Sequence, residues 1–363
     1  MFEEYFEGIN DPRQPWKVKH KLIEIIIMVI AAVTAECEAW YQIAHWREKK
    51  AEFLKEKLKL ELEHGVASHD TMERVFKLLN PVELENRFVL WTTAVANLMP
   101  GDSINVDGKT LCGSEADETA AIQMVSAWAN KQNLVIGQLK VSEKSNEITA
   151  VPALLDMLDV ENCVITSDSL NCQKETTAKI AEKGADYVLG LKGEKLRKAV
   201  SDHFMYEVSA YETVYTEEKG HGRLEKREYY LETDIKFLDD IPERDKWVNL
   251  NAVGMVKSVA EKKGKVSFEI RYFITSLTGP QHSAKSVREH WGIENSPRWC
   301  LDVGFNEDKS RIRTDNSPEN FAVIRHISLN LLKRDDSKMS LKAKRHRCAY
   351  DDEFLLKILF GIS

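Results

Sequence analysis

The sequence predicts an α/β protein built on a mixed sheet, and three observations carry that expectation. Three extended segments follow one another after residue 102, helix and strand then alternate to about residue 206, and a β-rich block interrupts that alternation before helices resume. Consecutive strands followed by alternating helix and strand require a sheet with antiparallel and parallel pairs, covered by helices.

The segment before residue 100 reads as helical. "KLIEIIIMVIAAVTAE" (21–36) is apolar nearly all round, the pattern of a buried helix. "VASHDTMERVFKLLNP" (66–81) offers Ser68 or Asp70 as N-cap, with Glu73 three residues after Asp70, and Pro81 closes it. A third helix is predicted over 82–98.

The strands are "SINVD" (103–107), "AIQMVSAWA" (121–129) and "LVIGQLKV" (134–141), the last two joined by the turn-like "NKQN". A helix ("EITAVPALLDMLD"), a strand ("CVITSD", 163–168), a helix ("CQKETTAKIAEKG"), a strand ("DYVLGLK", 186–192) and a helix from about 194 follow. Between 207 and 279, a hairpin around Gly220-His221-Gly222 precedes a second pair of strands flanking "EKKGK". Helices return at 283, 318–333 and 351–360. The chain therefore divides into a helical segment 1–100, the first part of the sheet 101–206, a β-rich insertion 207–280, and C-terminal helices with a basic tail 281–363.

Bulk properties narrow the class. A chain of 363 residues, 43% hydrophobic and 30% charged, buries a core without covalent staples. Its longest apolar run, Ile25–Val33, is too short for a bilayer and lies too far from an acidic N-terminus to serve as a signal peptide. Six cysteines without CxxC pairs point to reduced thiols in a cytoplasmic protein. Net charge is −7, yet residues 333–347 carry seven Lys/Arg against two Asp, which reads as a solvated segment or a phosphate-binding tail.

Three acids stand out. Asp107 closes the first strand in "INVDGKT", Asp168 closes the fourth in "VITSDS", and catalytic groups in such sheets gather at strand carboxyl ends. Glu294 lies in "EHWGIENSPRW" (289–299), between Trp291 and Trp299, near a packing face where an unpaired carboxylate is costly. Three acids converging from three elements would suit hard cations, and a pair of such ions serves in-line phosphoryl transfer. Each acid also has a plainer reading: Asp107-Gly108 as a turn, Asp168 or Ser169 as a helix cap, Glu294 as a solvated helix position. Rival motifs fail. A phosphate-binding loop needs glycine where Ser103 stands, and a phosphoaspartyl phosphatase needs an acid where Lys109 stands.

The stretches "INVDGKTLCGS", "ITSDSLNCQKETTAKIAEKGADYVLGLKG", "HWGIENSPRWCLDVGFNED" and "SRIRTDNSPENFAVIRHISLNLLKRD" resemble the bacterial insertion-sequence transposases of the H-repeat-associated family. "DPRQPWKVKHKLIEIIIMVIAAV" and "VASHDTMERVF" resemble that family's leading helical domain. The resemblance spans nearly the whole chain. It implies an RNase H-like catalytic core with an Asp-Asp-Glu triad of Asp107, Asp168 and Glu294, using Mg²⁺, with Mn²⁺ able to substitute. The implied partners are DNA at the element's terminal inverted repeats and target DNA. A homodimer is compatible with it, and no membrane is involved. Alternatives are a catalytically decayed DNA-binding relic and an RNase H-like nuclease without strand transfer.

The sequence departs from the family at Cys112, where arginine is usual, and at Ser169 and Asn171, where small residues are usual. Asn171 is expected to keep a left-handed turn. Pro297, three residues after Glu294, is expected to kink or end the helix there. Basic residues assigned to phosphates are Lys109, Lys192, Arg311 and Arg313 near the triad, with His221, Arg223 and Arg227 at the tip of the hairpin.

Overall fold

The computed structural model describes residues 2–115, 120–141, 147–191, 194–206, 212–220, 222–239, 243–292 and 300–361. The helical segment contains α1 (Phe2–Phe6), α2 (Leu22–Thr34), α3 (Trp40–Lys49), α4 (Ala51–Glu56), α5 (His69–Leu78) and α6 (Pro81–Ala96). Of the two caps offered by sequence, Ser68 is the one used: its hydroxyl accepts the Thr71 N–H. Asn80 caps α6 in the same way, with Pro81 at its first position.

The sheet begins with β1 (Ser103–Leu111), β2 (Ile122–Ala129) and β3 (Leu134–Lys140). It continues through α7 (Glu147–Met157), β4 (Val164–Ser167), α8 (Lys174–Glu182), β5 (Asp186–Gly190) and α9 (Glu194–Tyr206). Next come β6 (Glu212–Gly220), β7 (Arg223–Glu232), β8 (Ala252–Lys262) and β9 (Lys265–Thr275). The chain closes with α10 (Pro280–Gly292), α11 (Ser317–Arg334), α12 (Leu341–Tyr350) and α13 (Asp352–Phe360).

Among the described residues these strands form one nine-stranded sheet in the order β3-β2-β1-β4-β5-β9-β8-β7-β6. β1, β4 and β5 are parallel, and the other neighbouring pairs are antiparallel. The β-rich block is therefore an extension of the core sheet, joined by β9 to β5 through Val188↔Thr275 to Gly190↔Phe273. Residues 265–272 of β9 run on past the end of β5, still paired with β8. The four long strands thus overhang the carboxyl edge of the parallel strands by roughly 25 Å at ~3.3 Å per residue.

Two differences from the sequence reading matter for the site. β1 does not stop at Asp107; it pairs with β2 as far as Leu111↔Ile122. Cross-strand pairing overrides the turn preference of Asp107-Gly108, because Ile104 and Val106 on one face are buried in the sheet's core. The tail at 333–347 is solvated only in part. Ser340 caps α12, whose Lys344 and Arg345 are buried.

The outer helical layer draws on both ends of the chain. One apolar cluster joins Ile26 of α2, Trp40 of α3 and Phe76 of α5 to Phe321 of α11 and Leu355 of α13. Trp40 meets Phe321 edge-on with ring centres 5.3 Å apart.

Candidate active site at the sheet edge

The parallel pairing of β1 with β4 sets the geometry. Its last rung is Val106↔Ser167, so Asp107 and Asp168 are the next residue on each strand, on neighbouring backbones about 4.8 Å apart. Asn105 and Thr166, two residues earlier, both reach α10. Asp107 shares the face of Asn105 within β1, and Asp168, one residue past the end of β4, borders the same cleft as His290. Asp107 is half-buried and Asp168 exposed.

A polar ladder holds the strand ends beneath these acids. The Ser167 hydroxyl donates to the Val106 carbonyl at 2.9 Å, tying β4 to β1 at the last rung. The Thr166 hydroxyl donates to Asn105 Oδ1 at 2.5 Å and lies 3.0 Å from His290 Nδ1. Asn105 Nδ2 donates to the Glu289 carbonyl at 3.0 Å, and Ser103 and Ser286 hydroxyls meet at 3.4 Å. α10 therefore climbs the strands in step: Ser286 against Ser103, then Glu289 and His290 against Asn105 and Thr166.

Asp168 is not a helix cap. α8 begins at Lys174 with Gln173 before it, and Asp168 Oδ1 instead accepts the Leu170 N–H at 3.1 Å and Asn171 Nδ2 at 3.2 Å. Asn171 is not in the left-handed region; it is buried and orients the carboxylate. Burial pushes the nearby Cys172 thiol up to about 12, with the Asp168 charge adding to it, so this sulfur stays protonated.

The basic residues divide. Lys109, two positions after Asp107 on the same face, pairs with Asp302 and with Glu307 at 2.7 Å. Burial alone would lower its pKa, but the Glu307 and Asp302 charges raise it overall. Lys109 is thus an internal ion-pair partner. Arg227 fails as a tip residue for the same reason: it is buried, bonded to Glu225 and 3.4 Å from Glu218. Arg223 closes the β6–β7 hairpin opposite Gly220, half-exposed, and pairs with Glu225. Arg311 is exposed. Arg313 Nε donates to the Gly113 carbonyl at 2.8 Å, where a Cβ on Gly113 would sit 2.3 Å from the Ser310 carbonyl. Lys192, His221, Glu294 and Pro297 lie outside the described residues.

Two groups at this edge were not read from the sequence, Arg197 and Arg271. Both border a cleft of about 630 Å³ that opens beside Asp168. Exposed arginines on a helix and a strand carry no local signal that they border one cleft. Among the described residues no cluster of three or more His, Cys, Asp or Glu side chains forms a ready metal site.

The class follows from comparison. Residues 104–331 match the family described as "Transposase DDE domain", and residues 3–92 match the family described as "DDE_Tnp_1-associated". The chain belongs to the DDE transposases, in the H-repeat-associated group. It is 36% identical over 377 residues to the H repeat-associated putative transposase YhhI of Escherichia coli (strain K12), covering 99% of this chain and 97% of that one. An uncharacterized protein in the dhlA 3′ region of Xanthobacter autotrophicus is 35% identical over 286 residues, covering 76% of this chain and 94% of its own. The piggyBac transposase synaptic complex with hairpin DNA superposes with a TM-score of 0.41 and 11% identity over 96% of this chain and 76% of that chain, too loosely to place any residue. The mixed α/β core and helical N-terminal region expected from sequence are those of the fold, and the expected β-rich insertion is part of the same sheet.

Proposed function

We propose that this transposase cuts and joins DNA at the ends of its own insertion sequence by Mg²⁺-dependent phosphoryl transfer, with Asp107, Asp168 and Glu294 as the metal-binding triad. The observation that carries the reading is the placement of Asp107 and Asp168 one residue beyond the same parallel rung. The step-wise climb of α10 supports the third member. By His290 the helix has reached Asn105 and Thr166, two residues before the aspartates, and Glu294 follows four residues later in the sequence.

The donors fit a hard divalent cation, being carboxylate oxygens at a solvent-accessible edge. A bound metal supplies activation of the attacking oxygen and neutralisation of charge on the phosphate. The chain's own residues do the rest. Leu170 N–H and Asn171 hold Asp168 through Oδ1, and the Ser167–Val106 bond keeps the two strand ends in register. Arg311, Arg313 and Arg223, with Lys192 and His221, are the remaining candidates for phosphates of terminal-repeat and target DNA.

The test is cleavage of duplexes carrying the DNA that flanks the coding region. The parent should nick them with Mg²⁺ or Mn²⁺ and not with EDTA. Asp107→Asn, Asp168→Asn and Glu294→Gln should each lower the rate by at least about a thousandfold, on the scale of removing one essential group, while binding persists. Undiminished nicking by any one variant removes that residue from the triad. Nicking without joining would leave a nuclease, and binding without nicking a relic.

A further inference from the structure

We infer that the cleft between Asp168 and the overhanging end of β9 is a binding site for a single nucleotide unit of the DNA strand, with Arg197 and Arg271 holding its phosphates. The inference rests on the DNA-cleavage reading above and names where the strand lies next to the acids.

The cleft exists because β5 is short. β5 ends at Gly190 and the chain leaves with the Leu191 N–H donating to the Tyr272 carbonyl at 2.8 Å, whereas β9 runs on alongside β8. The space left between the end of β4 and the overhang is about 630 Å³ and is lined by Asp168 on one side and Arg271 and Tyr272 on the other. That volume falls within the range of roughly 300–1,000 Å³ usual for small-ligand clefts. The overhang is held against α10, since Arg288 donates to Glu218 of β6 at 2.6 Å and 2.9 Å. It is a fixed wall.

The cations at the cleft are set by their neighbours. The Arg197 guanidinium stands over the Tyr272 ring, 5.9 Å from its centre, and the Tyr272 hydroxyl accepts from Ser201 at 3.1 Å. The Arg271 Nε donates to Glu269 at 2.7 Å, which orients its guanidinium. Guanidinium groups match phosphate oxygens in a paired geometry. His290, from the end of α10, closes the cleft beside the acids. An anionic strand brought here presents a phosphate to the arginines and its neighbouring bond to Asp168.

The experiment uses the full chain and a fluorescein-labelled single-stranded DNA of about 12 nucleotides, a length within the site sizes known for single-strand binders. The oligonucleotide is taken from the flanking DNA, with Ca²⁺ replacing Mg²⁺, and affinity is followed against salt concentration. The Arg197→Ala, Arg271→Ala double variant should bind roughly tenfold more weakly. Its log–log salt slope should fall by about 1.4, the loss of two single-strand phosphate contacts. The double lysine variant should recover most of the affinity. Both arginines are exposed, so melting temperature should stay close to the parent's. Parental affinity and slope in the double alanine variant would overturn the inference, as would absence of binding by the parent. A parent that shows the predicted arginine dependence but does not nick with Mg²⁺ would strike the cleavage reading and leave the cleft standing.

Discussion

The basic residues of α12 and those beside β5 look alike in sequence and have opposite fates. Arg345 is 2% exposed; it bonds Glu38 at 2.6 Å, the Val33 carbonyl at 2.5 Å and the Gly304 carbonyl, and its guanidinium lies 4.0 Å from the Phe305 ring centre. Lys344 donates to the Leu332 carbonyl at 3.1 Å and pairs with Asp335. Arg197 and Arg271 instead stand in the open at a cleft. A run of positive charge in a sequence therefore says little about phosphate binding until burial is known. Here Arg345, within the densest run, ties the two ends of the chain together, and the scattered Arg197 and Arg271 border the cleft.

The largest effect that would test this contrast is on stability. Arg345→Met should cost about 3–5 kcal/mol, because it leaves Glu38 without its partner and removes donors from buried carbonyls. Urea unfolding measures it, and oligonucleotide affinity below the transition should be unchanged. Little loss of stability would mean the basic helix is surface after all.

Lys109→Met sharpens the same contrast beside the acids. Glu307 is 2% exposed, and although burial would raise its pKa, the Lys109 and Arg325 charges hold it below the usual carboxylate range. Removing Lys109 should destabilise by about 3 kcal/mol, the lower end for a broken buried pair, and Lys109→Arg should restore much of that. If Lys109→Met instead keeps its stability and flattens the salt slope of DNA binding, Lys109 is a phosphate ligand.

A smaller effect is expected in pH dependence. Burial pushes His326 down to about 4, so it stays neutral in the folded chain while an unfolded histidine titrates near 6.5. Its folded pKa is depressed. The stability it contributes is full above pH 6.5 and is lost as pH falls toward 4, by up to about 3 kcal/mol. Glu85 works in the opposite direction. Burial raises it to about 8, so its contribution is full below pH 4.5 and lost as pH rises through 8. His326→Gln should flatten the acid limb alone and Glu85→Gln the alkaline limb alone, as read by melting temperature against pH. An acid limb unchanged in His326→Gln would show that other groups set it.

Much of the fold was legible because its signals are local. α2 is apolar all round and is buried along nearly its whole length, and Ser68 caps α5. The positions of the two aspartates were half legible from periodicity: Asp168 follows the end of β4 as read, whereas Asp107 lies inside β1, which runs on to Leu111. What escaped is non-local. Nothing near Lys109 announces Asp302 and Glu307, almost two hundred residues later, and nothing near Arg345 announces Glu38. The length difference between β5 and β9 that creates the cleft is likewise a property of pairing between distant segments.

We propose that the paired aspartates at the sheet edge hold the metal that cuts DNA. Titration calorimetry with Mn²⁺ on the full-length protein, without DNA, addresses it most directly. The parent should bind Mn²⁺, and Asp107→Asn and Asp168→Asn should each weaken binding by at least about tenfold, or ~1.4 kcal/mol, with folding intact. Lys109→Arg should bind like the parent. Equal Mn²⁺ binding by the parent and both aspartate variants would contradict the account.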